Sequence, residues 1–266
     1  MVNVLDYVPH PTIELWTWPH ILFIVLTILV LGASLTLITI FVKKENTLLW
    51  IYRIAGIVLF VTIVVNHIDV IRFDVEIEKD VVMVFGKETP YTWWMVALPF
   101  TICSFASFVI PFGCFMKKDN FIVHSLYPIA IMGGIVNIFI PNYLGNQGFF
   151  EIRTWTGLLH HILSMWIVLL MLLKGFIKPS MKKIYQLPIA LLIILALGLI
   201  ELQAFHYAEA MAIETDLSGF MWYHMDLGLI LADFIFTFIM EKFVYKKTLK
   251  EIFNFKKETI DGNQSN

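Results

Sequence analysis

Histidine and acidic residues occur in this sequence inside long apolar stretches, where such groups are uncommon. Ionisable groups in an apolar stretch are costly to bury, and they normally mark a cavity, a proton path or a reaction site. Imidazole and carboxylate groups can act as general bases, carry protons or bind metal ions. The candidate site residues of this kind, together with one amide, are His67, Asp69, Asn137, His160, His161, Glu201, His224 and Asp226.

A cysteine adds a candidate nucleophile to this set. Cys103 and Cys114 are the two cysteines of the chain, and both fall in the same apolar stretch. On a helix, eleven residues separate them by about 16 Å, which is too far for a disulfide. A thiol in apolar surroundings is protonated and inert, and it becomes a nucleophile only beside a base or a cation. Cys114 is expected only to fill space in the core.

Two other chemistries compete for the same side chains. A zinc site would draw its nitrogen and oxygen ligands from His67-x-Asp69, His160, His161, Glu201, His206 and His224-x-Asp226. A transporter or sensor would instead use Glu201, Asp226 and Asp233 as a proton or cation relay. Asp226 and Asp233 are seven residues apart, so they share one face of a helix.

Seven apolar stretches must position these groups. Each is long enough to cross the hydrocarbon core of a bilayer, about 30 Å thick, as a helix. A chain with 59% hydrophobic and 15% charged residues is neither a soluble domain nor a disordered one. The sequence therefore predicts an all-α bundle of seven transmembrane helices, at residues 17–42, 48–71, 93–116, 121–141, 155–177, 185–207 and 220–241.

Lysine and arginine residues are divided unevenly between the gaps. Fifteen of the nineteen fall in alternate gaps or after the last stretch, and the other four are Arg72, Lys79, Lys87 and Arg153. Because cytoplasmic loops are the basic ones, this split predicts an external N-terminus and a cytoplasmic C-terminus. This uneven distribution of basic residues indicates the topology of the protein in the membrane and not a nucleic-acid-binding surface. The expected partners are therefore membrane lipids and not nucleic acid. A composition poor in Arg and rich in Lys, Ile and Phe favours a bacterial plasma membrane.

The predicted organisation is one domain with two peripheral segments. Residues 1–245 form the seven-span domain, and residues 246–266 form a basic cytoplasmic tail. The external loop 72–92 alternates apolar and acidic residues from Phe73 onward, a pattern that predicts an extended strand or a hairpin. In the tail, apolar residues beside several lysines predict a helix over 246–258 on the anionic leaflet.

The topology places six of the eight histidines in the outer parts of the spans. If Trp94 and Trp155 mark the outer interface, Cys103 lies about 14 Å deep and His161 about 9 Å deep on ideal helices. Neighbouring helices pack about 8–10 Å apart, so a contact between this thiol and this imidazole is feasible. We expect an outer pocket lined by His67, Cys103, His161, Glu201 and Asp226.

Three short motifs resemble those of the YwaF-type bacterial integral membrane family. They are Leu98-Pro99-Phe100-Thr101-Ile102-Cys103 against L-P-x-x-x-C, Gly133-Gly134 through Pro141 against a glycine-then-proline pattern, and His160-His161-Ile162-Leu163 against H-x-L. The likeness runs over roughly 94–173, with a further match at Trp18-Pro19-His20. The family's Asn-Tyr motif in the last span stands here as Trp222-Tyr223.

This resemblance implies lipid acyl chemistry. Eukaryotic relatives of the family include a transmembrane acyltransferase that remodels ether phospholipids with Cys and His, and related lipid hydrolases use Thr and His. Carried over, the resemblance implies Cys103 as the nucleophile and His161 as its base. The first hypothesis is therefore a Cys/His lipid acyltransferase or acyl hydrolase that works in the outer half of the bilayer without a cofactor. A transporter or sensor comes second, and a zinc-dependent intramembrane hydrolase third.

Overall fold

The computed structural model describes residues 14–74, 81–84, 87–90, 101–141, 152–205 and 222–253. Each of the seven apolar stretches contains a helix, so the predicted all-α architecture of the bundle is confirmed. The helices are α1 (Trp18–Phe41), α2 (Glu45–Asp74), α3 (Ile102–Gly113), α4 (Phe121–Phe139), α5 (Ile152–Leu173), α6 (Gln186–Phe205) and α7 (Trp222–Ile239).

Among the described residues, five helical regions are long and apolar enough to cross a membrane. Four lie in α1, α2, α4 and α5, and the fifth, Met181–Ile200, runs from the 3-10 turn Met181–Lys183 into α6. In the third stretch, the described part starts at residue 101, and there α3 begins at Ile102 and has 12 residues. The seventh stretch forms α7, which has 18 residues and carries Asp226 and Asp233. The count of seven spans stays a prediction.

A two-stranded hairpin follows α2 in the predicted external loop. Its strands, β1 (Val81–Val84) and β2 (Lys87–Pro90), pair antiparallel. The extended segment predicted from Phe73 was wrong at its start, because Phe73 is still helical and α2 ends at Asp74. A helix satisfies its own backbone hydrogen bonds, so it can continue beyond the end of an apolar stretch. The short alternation of apolar and acidic residues gave no sign of this continuation.

The centre of the bundle is formed by α4 and α5. In an 18-residue apolar segment of α4, 67% of the residues are buried, whereas only 11% are buried in the equivalent segment of the peripheral α1. Helices α2 and α3 pack on this central pair, and α6 packs on α4. A Cβ atom built on Gly134 would stand 2.5 Å from Met165 Cβ, so α4 and α5 approach closely where glycine has no side chain.

Four of the basic segments meet at one end of the bundle. The contacts there join Lys118 to Glu45, Lys174 to the backbone carbonyl oxygens of Thr39 and Val42, Lys183 to Asp119, and the Ser180 hydroxyl and Met181 amide to Glu241, which also pairs with Lys247. The basic segments that meet here are those that follow α1, α3, α5 and α7 in the chain. Successive helices therefore run in opposite directions. The side of the membrane on which this end lies stays a prediction.

The start of the tail folds back onto the bundle. After the π-helix Met240–Val244, the short helix α8 (Leu249–Ile252) begins at a capping box formed by Thr248 and Glu251. Ile252 is buried, and the ring of Phe253 lies 6.3 Å from that of Phe238. Within the described chain, the helix of the tail is four residues long, and the predicted helix continues into residues outside the described part.

Candidate active site

The candidate nucleophile lies at the start of a helix. Thr101 has an extended backbone, with φ −111° and ψ 150°, and its hydroxyl accepts a hydrogen bond of 3.1 Å from the Ser104 amide. Thr101 therefore caps α3 and makes Cys103 its second residue. The sequence had placed Cys103 in the interior of a helix beginning near residue 93. A helix N-terminus is partly positive and stabilises a thiolate, so this position favours reactivity.

A glycine on α4 brings the predicted thiol and imidazole to one space. A Cβ atom built on Gly133 would stand 2.9 Å from Cys103 Sγ and 3.6 Å from His161 Nδ1. Both atoms therefore lie within 3.6 Å of one point, on helices that are far apart in the chain. The two side chains therefore border the space left by Gly133, and their action as a catalytic pair stays a prediction.

Two adjacent histidines on α5 extend the site. The rings of His160 and His161 are 4.0 Å apart between centroids, and both side chains are buried. His160 Nδ1 lies 2.9 Å from the Thr156 carbonyl oxygen, which can only accept, so Nδ1 carries the proton. Its Nε2 atom is buried and has no hydrogen-bond partner in the described part of the chain.

A pair of serines joins α3 to α5 one turn away from the thiol. Ser164 Oγ lies 2.8 Å from Ser107 Oγ, and its hydroxyl donates to the His160 carbonyl oxygen at 2.6 Å. Ser107 follows Cys103 by four residues, as Ser164 follows His160, so each serine shares a helix face with a site residue. Sequence analysis missed these serines. Their spacing was the available signal, since polar residues recur at four-residue intervals in two apolar stretches.

His67 and Asn137 lie beside this cluster. His67 Nδ1 is 2.9 Å from the Ile63 carbonyl oxygen of its own helix, and the neighbouring Asn66 donates to Thr156 Oγ1 on α5 at 2.8 Å. Asn137 is buried one turn from Gly133 on the same face of α4. Its Oδ1 atom is without a hydrogen-bond partner among the residues that the structure describes.

The other predicted site residues lie on α7 or outside the described residues. His224 is exposed at the start of α7, and Asp226 follows it with a buried Oδ1 that finds no partner within the described ranges. Helix α7 packs on α4 and α6. The side chains of Asp69 and Glu201, and the whole of His206, lie outside the described residues. The predicted five-residue pocket therefore stays a prediction.

No group of three or more His, Cys, Asp or Glu side chains within the described ranges could hold a metal ion.

Cys114 has the role expected of it. It is buried, and a Cβ atom on Gly56 would stand 3.1 Å from Cys114 Cβ, so this cysteine fills the contact between α2 and α3.

A second polar cluster lies between α4 and α7. The Tyr127 hydroxyl donates a hydrogen bond to the Asp233 carboxylate, and Thr237 Oγ1 lies 3.4 Å from the same carboxylate oxygen. All three side chains are buried. Asp226, Asp233 and Thr237 share one face of α7, because their spacings are seven and four residues. The sequence predicted Asp226 and Asp233 on this face but missed Tyr127 as a partner.

An apolar groove of about 980 Å³ opens between α1, α2 and α5. On α5 its lining includes Leu158, Leu159 and Ile162, but neither His160 nor His161. Since successive residues of a helix differ by about 100° in direction, the groove lies on a different face of α5 from the two histidines.

Comparisons with known proteins agree with the membrane architecture. The profile of the TMEM164 family, a transmembrane protein family, matches residues 15–217. The matched range includes Cys103, Gly133, His160 and His161, and it ends before α7. Neither the search of curated proteins nor the search of solved structures found a match. Because the match covers well over half of the sequence, the chain belongs to the TMEM164 family.

Proposed function

We propose that the protein is a Cys/His lipid acyltransferase or acyl hydrolase, with Cys103 as nucleophile and His161 as its base. The observation that carries the proposal is the convergence of Cys103 Sγ and His161 Nδ1 on the space left by Gly133. The YwaF-type resemblance of the same motifs gives it further support. The proposed reaction uses no cofactor, and its proposed partners are membrane lipids.

In the proposed first step, His161 accepts the thiol proton while Cys103 Sγ attacks the ester carbonyl carbon of a lipid. The carbon–oxygen bond then breaks, and the proton on His161 passes to the departing alkoxide. This leaves an acyl-thioester on Cys103 and a free lipid alcohol. The base is required because a buried thiol alone is protonated, and the N-terminus of α3 assists by stabilising the negative sulfur.

We also propose a seven-span topology in a bacterial plasma membrane, with the N-terminus outside. The support is the meeting of the basic segments at one end, where they would face the cytoplasm. Cys103 and His161 then lie in the outer half of the bilayer. A lipid could reach them sideways, with its chains in the hydrocarbon and its ester beside the histidines.

The test offers the purified full chain a long-chain acyl ester of p-nitrophenol and looks for a covalent acyl adduct by intact mass. We expect an adduct on the wild type and on Cys114→Ser, the matched control, which removes the cysteine that only fills space. Cys103→Ala and His161→Gln should each form adduct at least about 100-fold more slowly, and the two losses should not add. Full labelling of both variants would show that this pair is not catalytic.

Proton-coupled transport or sensing is the second candidate function, and the cluster on α7 favours it. Asp233 is buried, and among the described residues its carboxylate contacts the hydroxyls of Tyr127 and Thr237 but no cation. Such a group can exchange a proton along a helix face that also carries Asp226. In this case Asp233→Asn should abolish a proton flux into vesicles containing the protein, whereas Cys103→Ala should leave that flux intact. Wild-type vesicles without any flux would exclude it.

A zinc-dependent hydrolase remains the third candidate. It would need Asp69, Glu201 or His206 to complete a set of ligands, because the described side chains do not form one. Loss of adduct formation on treatment with a chelator, with recovery on adding zinc, would replace the Cys/His proposal with this one.

A further inference from the structure

His160 has a fixed orientation and an unused nitrogen. Its Nδ1–H donates to the Thr156 carbonyl oxygen at 2.9 Å, so the lone pair of the neutral ring is on Nε2. Nε2 is buried and has no hydrogen-bond partner within the described ranges, and the side chain is only 3% exposed. Buried polar atoms are normally hydrogen-bonded, so this acceptor calls for a donor that is not part of the described chain.

The surroundings hold His160 beside the proposed catalytic pair. Its ring centroid is 4.0 Å from that of His161, and its own carbonyl oxygen accepts from Ser164, which also contacts Ser107 on α3. Two imidazoles this close in an apolar interior do not both carry a charge, because like charges at short range are unfavourable. One histidine can therefore hold a proton while the other remains neutral.

A second unused acceptor lies nearby on α4. Asn137 Oδ1 is buried without a hydrogen-bond partner in the described part of the chain, one turn from Gly133. A buried acceptor without a partner is complementary to a hydroxyl donor, and a hydroxyl can donate its one proton to either of these two acceptors. Water and the free hydroxyl of a lipid both have this chemistry.

We propose that His160 is the general base for the second half of the reaction, with Nε2 accepting the proton of a hydroxyl-bearing acceptor. This inference rests on the proposed acyl chemistry at Cys103. It assigns the two adjacent histidines different tasks, His161 in forming the acyl-thioester and His160 in breaking it. The acceptor is an alcohol, either a lysolipid hydroxyl or water.

The second half-reaction balances without a further reagent. The acceptor oxygen attacks the thioester carbonyl carbon while its proton moves to His160 Nε2. The carbon–sulfur bond breaks, a new carbon–oxygen bond remains in the product, and the departing sulfur takes the proton back from His160. Cys103 is again a thiol, and both histidines are again neutral.

The experiment follows nitrophenol release and acyl adduct on the full chain with the same long-chain p-nitrophenyl ester. For His160→Gln we expect a normal burst of about one nitrophenol per protein, followed by an adduct that persists, with turnover at least about 100-fold slower than the wild type. His161→Gln should lose the burst itself. Added lysophosphatidylcholine identifies the acceptor, because it speeds adduct loss in the wild type if the acceptor is a lipid and leaves it unchanged if the acceptor is water.

Wild-type turnover in His160→Gln would overturn the role of His160 while leaving Cys103 acylation in place. Absence of any adduct on the wild type would overturn both proposals. If gel filtration shows that His160→Gln does not fold, the inference is tested instead on the wild type by measuring thioester breakdown in heavy water. Breakdown of its thioester should be slower in heavy water, because a proton moves in that step, and equal rates in both solvents would contradict the inference.

Discussion

At the scale of single residues, the absence of a side chain creates the candidate site. Gly133 leaves open the space toward which Cys103 Sγ and His161 Nδ1 converge. Any other residue would place a Cβ atom 2.9 Å from the sulfur, which is closer than such atoms approach one another in proteins. The glycine therefore has a steric role at the site, in addition to permitting close helix packing.

Gly133→Ala should slow acylation of Cys103 by roughly 10–100-fold, because displacing a reacting atom by a fraction of an ångström weakens its alignment with the base. The measurement is the rate of adduct formation with the p-nitrophenyl ester. Gly228→Ala is the matched control, since a Cβ atom there has nothing within 4 Å and alanine is the better helix former. If Gly133→Ala reacts as fast as this control, the thiol is not held against Gly133.

Cys103 and His161 could be predicted from the sequence, but the helix cap and the glycine that surround them could not. Motif resemblance pointed to Cys103 and His161, and helix geometry allowed their contact. The break at Thr101 could not be predicted, because hydrophobicity continues across it and conceals the cap. The role of Gly133 was equally hidden, since it depends on which face of α4 meets α3 and α5.

At the scale of helices, the alignment of α3 with α5 determines whether the thiol meets a histidine. A shift of one residue along either helix would turn a side chain by about 100° and move the thiol or the imidazole away from the space at Gly133. The hydrogen-bonded pair of Ser107 and Ser164 joins the two helices one turn from Cys103 and so helps to fix this alignment.

Ser164→Ala should destabilise the protein by about 1–3 kcal/mol, because it leaves the Ser107 hydroxyl buried without its partner. Ser107→Ala should lower the free energy of unfolding less in the Ser164→Ala variant than in the wild type. The difference, which is the coupling between the two sites, should be roughly 0.5–2 kcal/mol. Free energies of unfolding in mixed micelles provide the measurement. Ser125→Ala is the control, since Ser125 is equally buried but bonds to Ile122 in its own helix. Strictly additive effects of Ser107 and Ser164 would refute the link.

At the scale of the whole molecule, the positions of charges carried more information than the identities of apolar residues. Apolar runs located all seven helices, whereas basic residues grouped the loops that the structure brings to one end. The packing order was not predictable, because α1, α2, α4 and α6 are apolar on nearly all sides and give no face preference. The central position of α4 depends instead on its glycines, which admit α3 and α5.

The proposed orientation predicts which residues a membrane-impermeant maleimide reaches in intact cells. In a Cys103→Ser, Cys114→Ser background, Glu14→Cys should react from outside, whereas Lys43→Cys and Lys117→Cys should react only after lysis. All three positions are exposed, so a failure to react reports the membrane barrier and not burial. Lys43 and Lys117 belong to the basic end, which the positive-inside rule places in the cytoplasm. Labelling of Lys43→Cys and Lys117→Cys in intact cells would invert the orientation, and the proposed Cys103 site would then lie in the inner half of the bilayer.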